Sequence, residues 1–338
     1  MGTASGPEHS LLAGVVGAVR FPDGRIAIGD AGNARVTFFS SQGAFLRAAG
    51  RAGDGPGEYR LPRWIGRCSS GDVAVYDGAH NSVSFLTATG QFLRAMPLPP
   101  MVNFDLPIWC SGRNEVVMLF NQFRERVQPG QYLTVPTAVV RISGPAAIDT
   151  IDSGGVQEYY VAKSIGAGSE VPLGRATLVA AGRSLLFVAS NVDGQVRVLD
   201  TAGRRKGTFT LDLSRSSVMQ RDWARAIEAR IEDEPLERTR KLLSVVLGEL
   251  PQAKTFPRVD RIQADAADNL WVRTFDNYGT RLATWVIVSS TGQPLAVAVS
   301  PRSLRVLEIG RDYLLGVSAD SDGVERVLVY RFSPVVGR

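Results

Sequence analysis

The sequence predicts an all-β fold: a six-bladed β-propeller with a helical hairpin inserted between blades 4 and 5. Three observations carry this expectation: a four-strand unit that recurs along the chain, six turn signals in equivalent places, and one stretch where the apolar period changes from two to about four. The length of 338 residues suits one closed all-β unit, and 35 dispersed glycines call for many tight turns and many short strands.

The unit is clearest from Gly14 to Gly50. An apolar run ends in Pro22-Asp23-Gly24, Arg25 to Gly29 alternates, Asp30-Ala31-Gly32-Asn33 breaks it, Arg35 to Phe39 alternates again, and Ser41-Gln42-Gly43 precedes a last short strand. The same order returns from Trp64 to Met96, with turns at Ser70-Gly71, Asp77 to Asn81 and Thr89-Gly90. Even local text repeats: Phe45-Leu46-Arg47-Ala48 against Phe92-Leu93-Arg94-Ala95.

First-turn signals fall at Gly24, Gly71, Gly112, Gly182, Asp268-Asn269 and Gly310, which implies six blades. The short intervals between them, about 47, 41 and 42 residues, match one four-stranded blade each, and the two longer ones must hold insertions. Blades are expected near 11–52, 62–99, 104–152, 171–213, 257–300 and 302–334, all in one domain spanning 1–338. A lone four-stranded sheet cannot cover both of its faces, whereas radial stacking covers each with a neighbour. The last copy supplies three clear strands, Leu304 to Ile309, Tyr313 to Ser318 and Arg326 to Phe332. Ring closure then calls for an outer strand from Ser5 to Ser10 or from a longer N-terminus.

Residues 214–256 change period. Trp223, Ile227 and Ile231 recur at helical spacing with Ser217 as the expected N-cap; Pro235 suits the first turn of a second helix whose apolar side is Leu236, Leu242, Leu243 and Val246, ended by Gly248 and Pro251. Because strand direction alternates, this hairpin, a loop from Ser153 to Glu170 and a loop from Gln122 to Thr134 all fall on one face of the disc. That face is where a rigid scaffold would carry a binding surface.

Composition excludes some classes. A charged fraction of 21% against 44% hydrophobic residues is that of a folded globular chain, and no run approaches the roughly 20 apolar residues of a membrane helix. The apolar run Leu11 to Val19 lacks a basic flank and enters the first repeat, so it reads as a strand and not as a signal peptide. A formal charge of +5, carried mainly by arginine, suits contacts with carboxylate or phosphate but is also what a GC-rich genome encodes. Cys68 and Cys110 occupy matching places in successive repeats, a spacing read as two buried thiols too far apart to bridge, and no zinc spacing of Cys and His exists.

The run Gly53-Asp54-Gly55-Pro56-Gly57-Glu58-Tyr59-Arg60-Leu61-Pro62, followed by Val73-Ala74-Val75-Tyr76-Asp77-Gly78, resembles NHL-type repeats. Asp268-Asn269-Leu270-Trp271-Val272, Trp285 to Val288 and Gly310 to Val317 extend the likeness, and the whole chain looks like the bacterial six-bladed propellers of unassigned function. The resemblance implies the fold and favours an extracytoplasmic location. It leaves function open, because NHL-type propellers include protein-binding modules, RNA-binding modules and metal-dependent lyases.

Candidate chemistry is sparse. Asp30/Asn33, Asp77/Asn81, Asn191/Asp193 and Asp276/Asn277 recur at the second-to-third turn; they could offer oxygens to a channel calcium, but Asx residues that close turns on their own backbone explain the recurrence better. The Gly53 to Gly57 segment lacks a phosphate loop's lysine and following helix, so it reads as a connection between blades. With only His9 and His80, a histidine metal site or a Ser-His-Asp triad is disfavoured, and Asp105, Asp260 and Glu158 form no marked carboxylate pair. No catalytic or metal residue is assigned and no cofactor is predicted, calcium being the alternative. Arg63, Asn103, Arg124, Arg126, Tyr159, Tyr160 and Arg258 on the elaborated face are the candidate ligand-binding set, for a protein, peptide or glycan. Glu228, Glu232, Asp233, Glu234 and Glu237 interrupt any basic stripe, which argues against nucleic acid. The leading expectation is a non-enzymatic binding propeller; the alternatives are a calcium-dependent hydrolase or lyase and, less favoured, an RNA-binding protein.

Overall fold

The structure, a computed structural model, describes the chain except residues 101–103, 113, 124–126, 214–216, 233, 235–236, 276–280 and 333–338, and the side chains of 104–106. Pro235, Leu236, Asn103, Arg124, Arg126, Asp276 and Asn277, and the side chain of Asp105, therefore lie outside the described residues.

Short strands separated by Gly and Asx turns pair with their sequence neighbours, giving six antiparallel sheets, the six blades. Blade 1 holds β1 (Val15–Arg20), β2 (Ile26–Asp30), β3 (Arg35–Phe39) and β4 (Phe45–Ala49). Blade 2 holds β5 (Pro62–Arg67), β6 (Val73–Asp77), β7 (Ser82–Leu86) and β8 (Phe92–Pro97). Blade 3 holds five strands, β9 (Phe104–Cys110), β10 (Val116–Asn121), β11 (Tyr132–Gly144), β12 (Ala147–Val161) and β13 (Gly168–Glu170). Blade 4 is β14 (Thr177–Ala181), β15 (Leu185–Ser190), β16 (Gln195–Asp200) and β17 (Arg205–Thr210). Blade 5 is β18 (Val259–Ala264), β19 (Leu270–Thr274), β20 (Leu282–Val288) and β21 (Pro294–Pro301), and blade 6 is β22 (Arg305–Ile309), β23 (Tyr313–Ala319) and β24 (Glu325–Arg331).

The core is divided among the seams between blades. Val36, Phe38 and Tyr59 pack with Ile65 and Val75 between blades 1 and 2; Phe85 and Ala74 pack with Met118 and Val140 between 2 and 3. Val117 and Val139 meet Leu186 and Val188, Phe187 and Val198 meet Leu270 and Val272, and Trp271 and Trp285 meet Val306 and Ile309. The ring closes where Ile26, Ile28 and Phe39 pack on Leu315, Val317 and Val327. Gly17 and Gly29 matter here, because a Cβ on either would meet Ile65 of the next blade at 2.8 and 3.1 Å respectively.

Ring closure differs from the expected Ser5 to Ser10 strand. Glu8–Ser10 form one 3-10 turn, and Met1 instead exchanges both backbone hydrogen bonds with Val327 on the outer edge of β24, at 3.0 and 2.9 Å.

Two further expectations are corrected. The segment read as a loop at 153–170 is in large part strand, and the one read as a loop at 122–134 gives way to strand at Tyr132: β11 and β12 pair from Gly144↔Ala147 out to Tyr132↔Tyr160, a ribbon that extends blade 3 beyond Asp152 to Val161. Gly154, with φ 89°, sits where the register shifts between Ser153 and Gly155, so a glycine that reads as a loop start is a β-bulge. Cys68 and Cys110 form a disulfide, with Cα atoms 4.5 Å apart. Inner strands converge on the propeller axis, so the first turns of blades 2 and 3 abut, and Ser69 N also donates to Cys110 O at 3.3 Å.

The insertion is a helical hairpin, α1 (Gln220–Glu232) and α2 (Glu237–Gly248), placed between blades 4 and 5. Ser217 does not cap it: Ser217 forms a bridge with Thr255 that closes the base of the insertion, while Asp222 at the third helical position accepts from Met219 N at 3.1 Å. On α2 the buried stripe is Leu243, Val246 and Leu247, continued by Leu250, and Leu242 faces outward at 44% exposure. Together with Trp223, Tyr160, Val171 and Phe256 they make a seventh apolar cluster that fastens the hairpin to the blade 3 ribbon.

Candidate functional site

The starts of the inner strands and the helical hairpin enclose a cavity of about 1230 Å³ at one end of the propeller axis. Val15, Pro62, Thr177 and Arg305 open their inner strands at its wall, and Arg63 and Arg261 stand close behind. Strand alternation on the ribbon supplies Gln157, β13 supplies Glu170, and the second-to-third turns of blades 1 and 6 supply Ala31, Ala319 and Glu325. Above them the hairpin contributes Arg230, Glu232, Glu234 and Arg240. Five of the six inner strands, all but β14, carry a register irregularity against their partner, and such bulges re-aim side chains at the rim.

Charge is concentrated in this cavity. Five guanidiniums, from Arg63, Arg230, Arg240, Arg261 and Arg305, share it with four carboxylates, from Glu170, Glu232, Glu234 and Glu325. Glu234 is buried at 5% exposure and ties the roof to the wall: its carboxylate lies 3.6 Å from Arg63, and its carbonyl accepts Arg240 Nε at 2.7 Å. Glu325 accepts Val15 N at 2.7 Å and Arg305 donates to Val15 O, so the pair also holds the seam between blades 6 and 1.

The structure separates the predicted ligand set. Arg63 lines the cavity. Tyr159 stands beside it, its hydroxyl accepting from Asn121 Nδ2 at 2.9 Å and donating to Glu170 at 3.4 Å, with Phe123 edge-on at 5.0 Å. Tyr160, on the opposite side of the strand, is buried under the hairpin, and its hydroxyl donates to Glu249 at 3.4 Å. Arg258 bonds the carbonyl of Leu213 and packs under Gly194, bracing the entry to the insertion away from the cavity lining. Arg230, Arg240, Arg261 and Arg305 escaped the sequence reading. Their convergence depends on bulges and helix docking, which leave no local signal.

Glu249 anchors the hairpin from its far end, accepting from Ser164 Oγ, Lys163 N at 2.7 Å and Ser164 N at 3.2 Å. These bonds, that from Ser164 Oγ first, hold its carboxyl below the usual glutamate range. The sign follows: the contribution is complete above the ordinary glutamate value and is lost as pH falls through the depressed one. Glu249→Gln is therefore expected to speed amide exchange in 220–248 and 162–167 at neutral pH, with blade cores unchanged; wild-type exchange in those segments should approach the variant's in acid.

The repeated Asx residues spend their oxygens on backbone amides and, at Asp30 Oδ2, on Asn33 Nδ2 and Arg35. Asp30 Oδ1 accepts Ala13 N at 3.1 Å, Asp77 accepts four amides, and Asn191 accepts Ala176 N at 2.8 Å while donating to Gly174 O. Asp260 takes a bond from Arg273, and Glu158 takes Tyr132 OH at 2.9 Å and Arg175 N at 2.8 Å. Among the described residues no group of three or more His, Cys, Asp or Glu is placed to hold a metal ion. His9 stacks on Phe45 at 3.9 Å, and His80 Nε2 meets Asp54 at 2.9 Å, both away from the cavity lining. The Gly53 to Gly57 segment joins β4 to β5, and the Glu58 carboxylate already occupies its Gly55 amide at 2.8 Å. At the other ends of the inner strands, Glu308 accepts Tyr313 OH and Arg20 N; burial pushes its carboxyl above the usual range.

Six stacked blades and an axial cavity roofed by an insertion define the class, a six-bladed β-propeller. Residues 8–111 match the family model DUF5128, described as a 6-bladed beta-propeller. Among solved structures the chain is similar to a Bacteroides fragilis protein at 14% identity, covering 97% of this chain and 93% of that one with a TM-score of 0.49. It is similar as well to a member of the DUF4221 family from Bacteroides vulgatus (8% identity, 95% and 94% covered, TM-score 0.48) and to a virginiamycin B lyase from Staphylococcus aureus (12%, 93% and 80%, 0.42). A search of curated proteins returns no match. No helix among the described residues is long and apolar enough to cross a membrane.

Proposed function

We propose that the chain is a non-enzymatic binding propeller whose axial cavity takes an anionic ligand, a peptide or glycan segment bearing carboxylates. The observation that carries this reading is the convergence of five arginines from three blades and both helices on one cavity. Its volume exceeds the roughly 300–1,000 Å³ of a typical small-molecule pocket, which suits an oligomeric segment better than a single metabolite. Guanidinium is the side chain best matched to carboxylate, and the four interspersed glutamates would orient a ligand by rejecting misplaced anions. Export is supported by the Cys68–Cys110 disulfide, since such bonds persist mainly in oxidising compartments.

The test is titration calorimetry with oligogalacturonate and an acidic hexapeptide, each beside its carboxyl-neutralised counterpart. One anionic probe should bind, its neutral counterpart should not, and Arg63→Ala and Arg261→Ala should each weaken binding by roughly 10- to 100-fold, the loss of one charge-assisted contact. Equal binding of charged and neutral probes, or affinity unmoved by both variants, sinks the reading.

A further inference from the structure

The outermost strand of blade 5 differs from the other rim strands. Among the described residues β21, Pro294–Pro301, is the outer edge of its sheet, and it holds no charged residue: Leu-Ala-Val-Ala-Val-Ser between two prolines. The rim strands of blades 1, 2 and 4 carry Arg47, Arg94, and Arg205 with Lys206, and β24 carries Glu325, Arg326 and Arg331. Charges of that kind are how sheet edges are kept from pairing with other chains, and blade 5 lacks them. The strand also presents its larger side chains to solvent. Leu295, Val297 and Val299 are 53%, 68% and 64% exposed on one face, and Leu282, paired with Pro301 on that face, is 52% exposed.

The pattern around Val297 is symmetric. Reading outward in either direction gives alanine, then a large aliphatic, so an antiparallel copy centred on Val297 sets Val297 opposite Val297, Leu295 opposite Val299 and Ala296 opposite Ala298. Large meets large on one face and small meets small on the other, which is the self-complementarity of a two-fold interface. A foreign strand would need neither this symmetry nor the absence of charge at both ends.

We infer that β21 is a homodimerisation edge: two copies of this chain pair their β21 strands antiparallel about Val297, joining two propellers rim to rim through a continuous eight-stranded sheet. One strand offers less than the roughly 800 Å² per partner of a standard stable interface, so the dimer is a weak, reversible one.

Sedimentation velocity from about 1 to 200 μM, a range set by that interface size, should show a monomer–dimer equilibrium. Val297→Lys should weaken it at least tenfold while leaving the melting temperature unchanged, because the side chain is already mostly exposed. Register is read by cross-linking. The two native cysteines are bonded to each other, so Val297→Cys supplies one new thiol at the two-fold and should form a covalent dimer on mild oxidation, whereas Leu295→Cys, displaced from its symmetry mate, should not. A wild-type monomer throughout the range, a dimer that Val297→Lys leaves intact, or equal cross-linking of the two cysteine variants would each overturn the inference.

Discussion

Cys68→Ser/Cys110→Ser, compared with the oxidised protein in urea, should lose roughly 4 kcal/mol of unfolding free energy. Tying two residues 42 positions apart removes loop-closure entropy from the unfolded chain, and for a loop of this size the chain-entropy relation gives about that value. Both cysteines are buried, at 3% and 1% exposure, so serine adds the cost of two hydroxyls in an apolar setting between blades 2 and 3. The seam itself survives, because Phe85, Met118 and Val140 still pack across it and Ser69 N still reaches Cys110 O through the backbone. The double variant should therefore fold to the same circular-dichroism spectrum and unfold earlier. Reduction of the wild type should shift its midpoint most of the way to the variant's, which lies slightly lower for its two buried hydroxyls; identical midpoints for all three species would contradict the bond. Single serine variants should fall below the double one if the orphaned thiol exchanges between molecules.

That bond also shows where sequence reading stops. Gly24, Gly71 and Gly203 announce turns because the backbone conformation they adopt, with φ 86° and 89° at Gly24 and Gly71, is one few other residues tolerate, and the signal is local. The blade count and the hairpin at 220–248 follow from such signals. The proximity of Cys68 to Cys110 depends on how inner strands converge around an axis, which repeat spacing does not encode. The ribbon was hidden by Gly154, whose turn-like character serves a bulge inside a pairing that runs on to Tyr132↔Tyr160. At the cavity, Arg63 was legible as a residue just ahead of an inner strand on the elaborated face, yet Tyr160, its neighbour in the predicted set, is packed beneath the helices. One residue of register separates Tyr159 from Tyr160 and sends them to opposite faces. Arg230 and Arg240 reach the cavity only because Leu243, Val246 and Leu247 dock α2 in one orientation.

Asp77→Ala is expected to cost about 3 to 5 kcal/mol, out of proportion to the few atoms removed. Asp77 is 2% exposed at the end of β6, and its two oxygens accept four backbone amides: Arg60 and Leu61 at 2.7 and 3.1 Å, Ala79 and His80 at 2.9 and 3.0 Å. The first pair is the chain arriving at the inner strand and the second is the turn into β7, so one carboxylate fixes the entry to blade 2 and the bend within it. Alanine leaves four donors without an acceptor, each costing about 1–3 kcal/mol where water cannot reach, and partial hydration at the loop brings the total down. Asp77→Asn keeps one acceptor oxygen and should lose less, about half. The same comparison separates the two readings of the recurring Asx residues. If they close turns, the variants' melting temperatures stay put when calcium replaces EDTA, and so does the wild type's. Were they calcium ligands, the wild type would gain stability with calcium by mass action and Asp77→Ala would erase that gain. The four amides on Asp77 already fill the positions such an ion would need, so the calcium-independent outcome is expected, and equally for Asp30→Ala, whose Oδ1 serves the amide of Ala13 while its Oδ2 accepts Asn33 Nδ2 at 2.8 Å and faces Arg35 Nε at 3.4 Å.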